Sequence, residues 1–264
     1  MGQIVLEDIL VIIQIILLLF FVIRLVERRD TTRSMTALLF VFGSATYIIT
    51  DLYWLAHLLV KAGATPLFSA AEIGIAGVFL LYGAALSVSG NNESGIEPKQ
   101  LSLPVIAAIL FTAANTACWY GWNGGWIRDL ITGVSMAYFL VVIVAGLYER
   151  EALSKKGWII TGILAATLMA FEAGSIFATG TWVPVLEVCR YTLWVAGLVF
   201  IIIKMRQVWH SDAQKALFFS FALFLWSVFI LYLSSNTIYD IIAILVDVCL
   251  VPMYLMIRKE ASEE

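Results

Sequence analysis

The sequence predicts an all-α protein: a polytopic transmembrane helix bundle forming one domain over residues 1–264. Three observations predict it. Of the 264 residues, 62% are hydrophobic and only 13% carry charge, against roughly 45–50% and about 25% in soluble domains. Too few charges remain to coat a soluble surface, so lipid has to cover most of the outside. The apolar residues gather into nine runs, each close to the about 20 residues that a helix needs to cross the hydrocarbon core. The basic residues then sort by side as the chain passes from run to run.

The runs are Ile4–Val26, Met35–Val60, Phe68–Gly90, Leu101–Trp122, Trp126–Tyr148, Gly157–Ala178, Val183–Met205, Ala216–Ser234 and Thr237–Ile257. Charged, Gly, Pro or Asn breakers separate them, such as Arg28-Arg29-Asp30, Gly63 to Pro66, Asn91 to Pro98 and Gly180 to Pro184. They are too long for strands and lack two-residue alternation, which excludes both a soluble sheet and an outer-membrane barrel. The first run is too long for a removable signal peptide, and its basic residues follow it rather than precede it. Leu6 stands where N-myristoylation wants Ser or Thr.

Of the 16 Lys and Arg residues, Lys61, Arg128 and Arg190 fall on one side of the nine runs and all the others on the opposite side. Basic loops stay in the cytoplasm. The N-terminus is therefore expected outside and the C-terminus inside, in the cell membrane, with the bacterial cytoplasmic membrane as the expected location. Trp122, Trp126 and Trp182 lie in the short outer connections, as interfacial indoles do. Cys118, Cys189 and Cys249 all fall inside apolar runs and read as packing residues rather than a disulfide or metal framework.

Helices three, five, seven and nine each carry an acid near their outer start: Glu72, Asp129, Glu187 and Asp240. Their near-equal spacing suggests one leading helix, at 4–26, followed by four hairpins. The halves 35–148 and 157–257 would then form a parallel repeat. The competing explanation is the preference of a helix N-terminus for an acid.

Asp51, Glu172 and Asp247 lie deeper in their runs. A charge at the bilayer centre costs at least about 2.5–3.5 kcal/mol, so these three are expected to face the bundle interior, to find a partner or to stay protonated. No counter-charge is evident for them in the sequence. Glu187 and Arg190, three residues apart, are expected to pair on their own helix. Asn115 occupies the comparable place in the fourth run. Trp54 follows Asp51, and Trp119 follows Asn115. Acids walled by aromatics suit a cation, through charge and cation–π attraction. The candidate ligand- or ion-binding set is therefore Asp51, Glu172 and Asp247 as deep groups, Glu72, Asp129 and Asp240 at the outer mouth, and Asn115, Trp54 and Trp119 beside them.

The chain lacks an H-E-x-x-H zinc motif, a G-x-S-x-G nucleophile turn and a mid-membrane Lys. No catalytic residue, metal site or cofactor is expected, although lipid-modifying enzymes can act through carboxylates alone. The composition excludes a soluble enzyme and a disordered chain, and the net charge of −3 gives no footprint for nucleic acid.

Asp51-Leu52-Tyr53-Trp54, followed by Ala71-Glu72 and Tyr82, resembles a pattern in multi-helix membrane input modules of bacterial signalling proteins. In those proteins the bundle precedes a cytoplasmic catalytic domain, and here no such domain follows before Glu264. Two functions are expected. The first is a transporter- or permease-like protein binding a small polar or cationic solute. The alternative, which the resemblance implies, is a membrane-embedded sensor acting through a separate cytoplasmic partner.

Overall fold

The computed structural model describes residues 2–28, 34–61, 70–90, 102–123, 126–177, 179–180, 182–232, 234 and 236–263. Among the described residues all regular structure is α-helical: α1 (Gly2–Val26), α2 (Met35–Lys61), α3 (Ala70–Gly90), α4 (Ser102–Asn123), α5 (Trp126–Glu149), α6 (Lys155–Phe177), α7 (Trp182–Val208), α8 (Ala213–Tyr232) and α9 (Asn236–Glu263). These helices fall where the apolar runs fall. Eight of them are long and apolar enough to cross a membrane, and α4 carries a shorter apolar stretch, Val105–Cys118. The protein has the build of a multi-pass membrane protein.

Short polar residues set the helix starts. Ser34 Oγ accepts from Ala37 N (3.2 Å), Ser154 Oγ from Gly157 N (3.2 Å) and Asp212 Oδ1 from Lys215 N (2.9 Å). Each cap satisfies one amide that the first turn leaves open. The end of α5 is closed differently. Ala152 N donates to Leu147 O (2.9 Å) and Glu151 N to Tyr148 O (3.1 Å), around Glu151 at φ 48°. This is a left-handed helix cap, a position that usually falls to Gly.

The core is organised around α8. Its sequence is apolar on every side, and such a helix belongs in the middle of a bundle. Indeed 72% of the span is buried, against 11% for α6 and 17% for α7. Phe221 meets Phe40 of α2, Tyr82 of α3 and Phe139 of α5 edge-on, with ring centroids 5.7–6.2 Å apart. Further along α8, Phe229 meets Phe111 of α4 at 5.4 Å, and Trp226 meets Trp194 of α7 at 4.6 Å. Gly146 and Gly197 let α5 and α7 approach Phe218 and Trp226, because a Cβ at either position would strike the ring.

Around α8 the helices pack in the order α1, α2, α3, α5, α4, α6, α7, and α9 closes the circuit between α8, α1 and α2. One end is tied by Arg150. Its Nε and Nη2 donate to Gln214 Oε1 (3.1 and 3.0 Å), and its Nη1 donates to Gly146 O (3.2 Å). Gln214 in turn donates to Ser89 O of α3 at 3.3 Å. Burial pulls the Arg150 guanidinium below its ordinary value, and the carboxylates of Glu149, Asp212 and Glu260 act against that shift.

α2 packs on α3 as α6 does on α7, and α4 on α5 as α8 does on α9, whereas α3 packs on α5 and α7 on α8.

Gly197→Ala should destabilise the bundle by about 1–3 kcal/mol through overpacking against Trp226. Gly162→Ala, where an added Cβ meets nothing within 4 Å, should be neutral or stabilising by up to about 1 kcal/mol. Thermal unfolding of the two variants in one detergent checks the contrast.

Candidate functional site

The structure divides the deep acids between two places. Asp51 of α2 and Asp247 of α9 come together, and Glu172 of α6 stands apart from them.

Asp51 is 7% exposed and Asp247 is 8% exposed. They lie on helices that pack together, within electrostatic reach of each other. Among the described residues neither takes part in an ion pair. Asp51 Oδ2 is buried with no hydrogen-bond partner there. Neutral oxygen and amide groups complete the surroundings. Tyr47, one helical turn before Asp51, lies within electrostatic reach of Gln14 of α1 and of both acids. Tyr82 of α3 shares a hydrogen bond with Ser44 (3.2 Å), and it feels the charge of Asp51. Four helices thus contribute to one polar nest. Two neighbouring buried acids in apolar surroundings do not both stay ionised unless a cation sits with them.

Gln14, Ser44 and Tyr47 were absent from the candidate set. Their signals were present all the same. Gln14 is the lone polar residue in the middle of α1's apolar run, and Tyr47 lies four residues before Asp51, on the same helix face.

Glu172 corrects an expectation. It has a counter-charge. Arg190 Nη1 of α7 lies 3.4 Å from Glu172 Oε2, with both side chains almost wholly buried. Trp194 Nε1 donates to Glu172 Oε1 at 3.0 Å, and Trp226 Nε1 donates to Trp194 O at 2.9 Å. The expected pairing of Arg190 with Glu187 overlooked this partner on the neighbouring helix. Asn115 belongs to the same region: its Nδ2 donates to Phe111 O (3.1 Å) and to Met169 Sδ of α6 (3.3 Å). This second cluster, with both acid oxygens engaged, stitches α6, α7 and α8 together.

The remaining candidate acids are distributed. Glu72 lies in the first turn of α3 and Asp129 in the first turn of α5, on helices that pack together. Asp240 lies in the second turn of α9, which packs on α8, α1 and α2. Trp54 stacks on His57 at 6.1 Å. The side chain of Trp119 lies outside the described residues.

No protein-family model, curated protein or solved structure matches this chain.

Arg190→Met should destabilise the protein by about 3–5 kcal/mol, because it leaves a buried carboxylate unpaired. Combining it with Glu172→Gln should recover most of that loss, since the amide oxygen still accepts from Trp194. Chemical unfolding in detergent micelles measures both.

Proposed function

We propose that this protein is transporter- or permease-like, and that it binds a small cationic or proton-coupled polar solute between Asp51 and Asp247. One observation carries the reading: two buried acids on different, packed helices lie within electrostatic reach of each other, with no ion pair among the described residues. Tyr47 and Gln14 supply neutral hydrogen-bonding groups beside them. Asp51 and Asp247 are the coupling pair in this account. Glu172 becomes a structural acid, because its charge is already answered by Arg190.

Glu72, Asp129 and Asp240 line the approach from the outer face. That placement follows the asymmetry of Lys and Arg, which puts the N-terminus outside and the C-terminus in the cytoplasm. The bacterial cytoplasmic membrane is the proposed location.

The test is flux into liposomes carrying the purified chain, read with a pH-sensitive dye and with alkali or organic cations as solutes. Asp51→Asn and Asp247→Asn should each lower flux at least about tenfold, the loss expected when an interaction worth more than about 1.4 kcal/mol is removed. Flux unchanged in both variants contradicts the proposal. Saturable binding without flux, lost in the same variants, moves the reading to a receptor that signals through a separate cytoplasmic partner.

A further inference from the structure

α5 and α6 follow each other through a short turn, yet they pack together only sparsely, with Tyr148 meeting Trp158 edge-on at 5.8 Å. The wedge between them is a cleft of about 110 Å³, floored by α8 and walled on its far side by α7. Leu147, Trp158, Leu164, Phe200 and Ala222 are among its walls. Its polar atoms are turned back into the protein: Thr161 Oγ1 donates to Gly157 O (2.9 Å), and Trp226 Nε1 donates to Trp194 O (2.9 Å). A cavity with such walls gives water nothing to hold and takes apolar occupants instead. The cleft lies beside α6 and α7, the spans with the smallest buried share.

One end of this apolar slot is basic. Leu153 and Trp158 both line it, and the exposed Lys155 and Lys156 stand between them in the chain. On the opposite wall, the Lys204 ammonium lies 6.0 Å from the ring centre of Phe200, a lining residue.

We infer that the α5–α6–α7–α8 cleft is a binding site for an anionic phospholipid. An acyl chain lies in the slot, and the headgroup phosphate lies among Lys155, Lys156 and Lys204. Apolar walls with three ammonium groups at one end match the two chemistries of that one molecule. A zwitterionic lipid offers the chain but no net charge to answer the lysines.

Native mass spectrometry of the full chain in mild detergent tests this, using phosphatidylglycerol and phosphatidylcholine of the same chain length. The wild-type protein should retain phosphatidylglycerol preferentially. Each lysine changed to Gln should weaken that preference roughly fivefold, and the triple variant should lose it. Leu164→Trp, which fills the slot from the exposed α6, should lower retention of both lipids while leaving the helical circular-dichroism signal unchanged. Equal retention of the two lipids by the wild type, a preference that survives the triple substitution, or displacement of the lipid by inorganic phosphate would overturn the assignment.

Discussion

In the hydrocarbon layer a polar side chain has no water to fall back on, so another side chain, the backbone, a proton or an ion must satisfy it. The bundle meets that constraint in two ways. Its Thr and Ser hydroxyls donate to carbonyls of their own helices, as Thr50 does to Thr46 O at 2.8 Å and Ser227 to Leu223 O at 2.9 Å. Glu172 borrows a guanidinium and an indole from α7. Asp51 and Asp247 have neither solution among the described residues. A structural acid in this bundle looks like Glu172, and the departure of Asp51 and Asp247 from that pattern gives them their functional interest.

The buried α8 reaches toward both acid sites. Its aromatic rings pack toward Tyr82 at one level and toward Trp194 at another. The ion pair therefore braces the α6–α7 arm against the centre. The acid pair sits where α9 meets α1 and α2. The same arrangement leaves the apolar wedge beside α6. That arm is held mainly through α7, α4 and the Glu172–Arg190 contact, and only sparsely by its sequence neighbour α5.

Much of the architecture was legible in the sequence, because span length and apolar composition are local properties. Each helix falls where its run falls. α4 was the hardest case: Thr112, Asn115 and Thr116 interrupt its apolar run and leave only Val105–Cys118 as a clearly apolar stretch. The depth of Asp51, Glu172 and Asp247 was legible as well, and all three are buried. Their partners were less so. The partner of Arg190 depends on how α6 and α7 rotate against each other, and spacing within α7 suggested Glu187 instead. The joining of Asp51 to Asp247 spans nearly the whole chain, and no periodicity encodes a contact between α2 and α9. The α5–α6 wedge follows from core packing, whereas a short connection alone suggests two helices in contact.

The proposed function makes Asp51 and Asp247 one charge-binding unit. Infrared difference spectroscopy of the reconstituted protein, following the protonated-carboxyl band with and without added cation, tests it most directly. The account predicts a single such band, lost in both Asp51→Asn and Asp247→Asn and responsive to proton or cation concentration. Two independent bands, each surviving the other's substitution and neither responding to cation or pH, would contradict it.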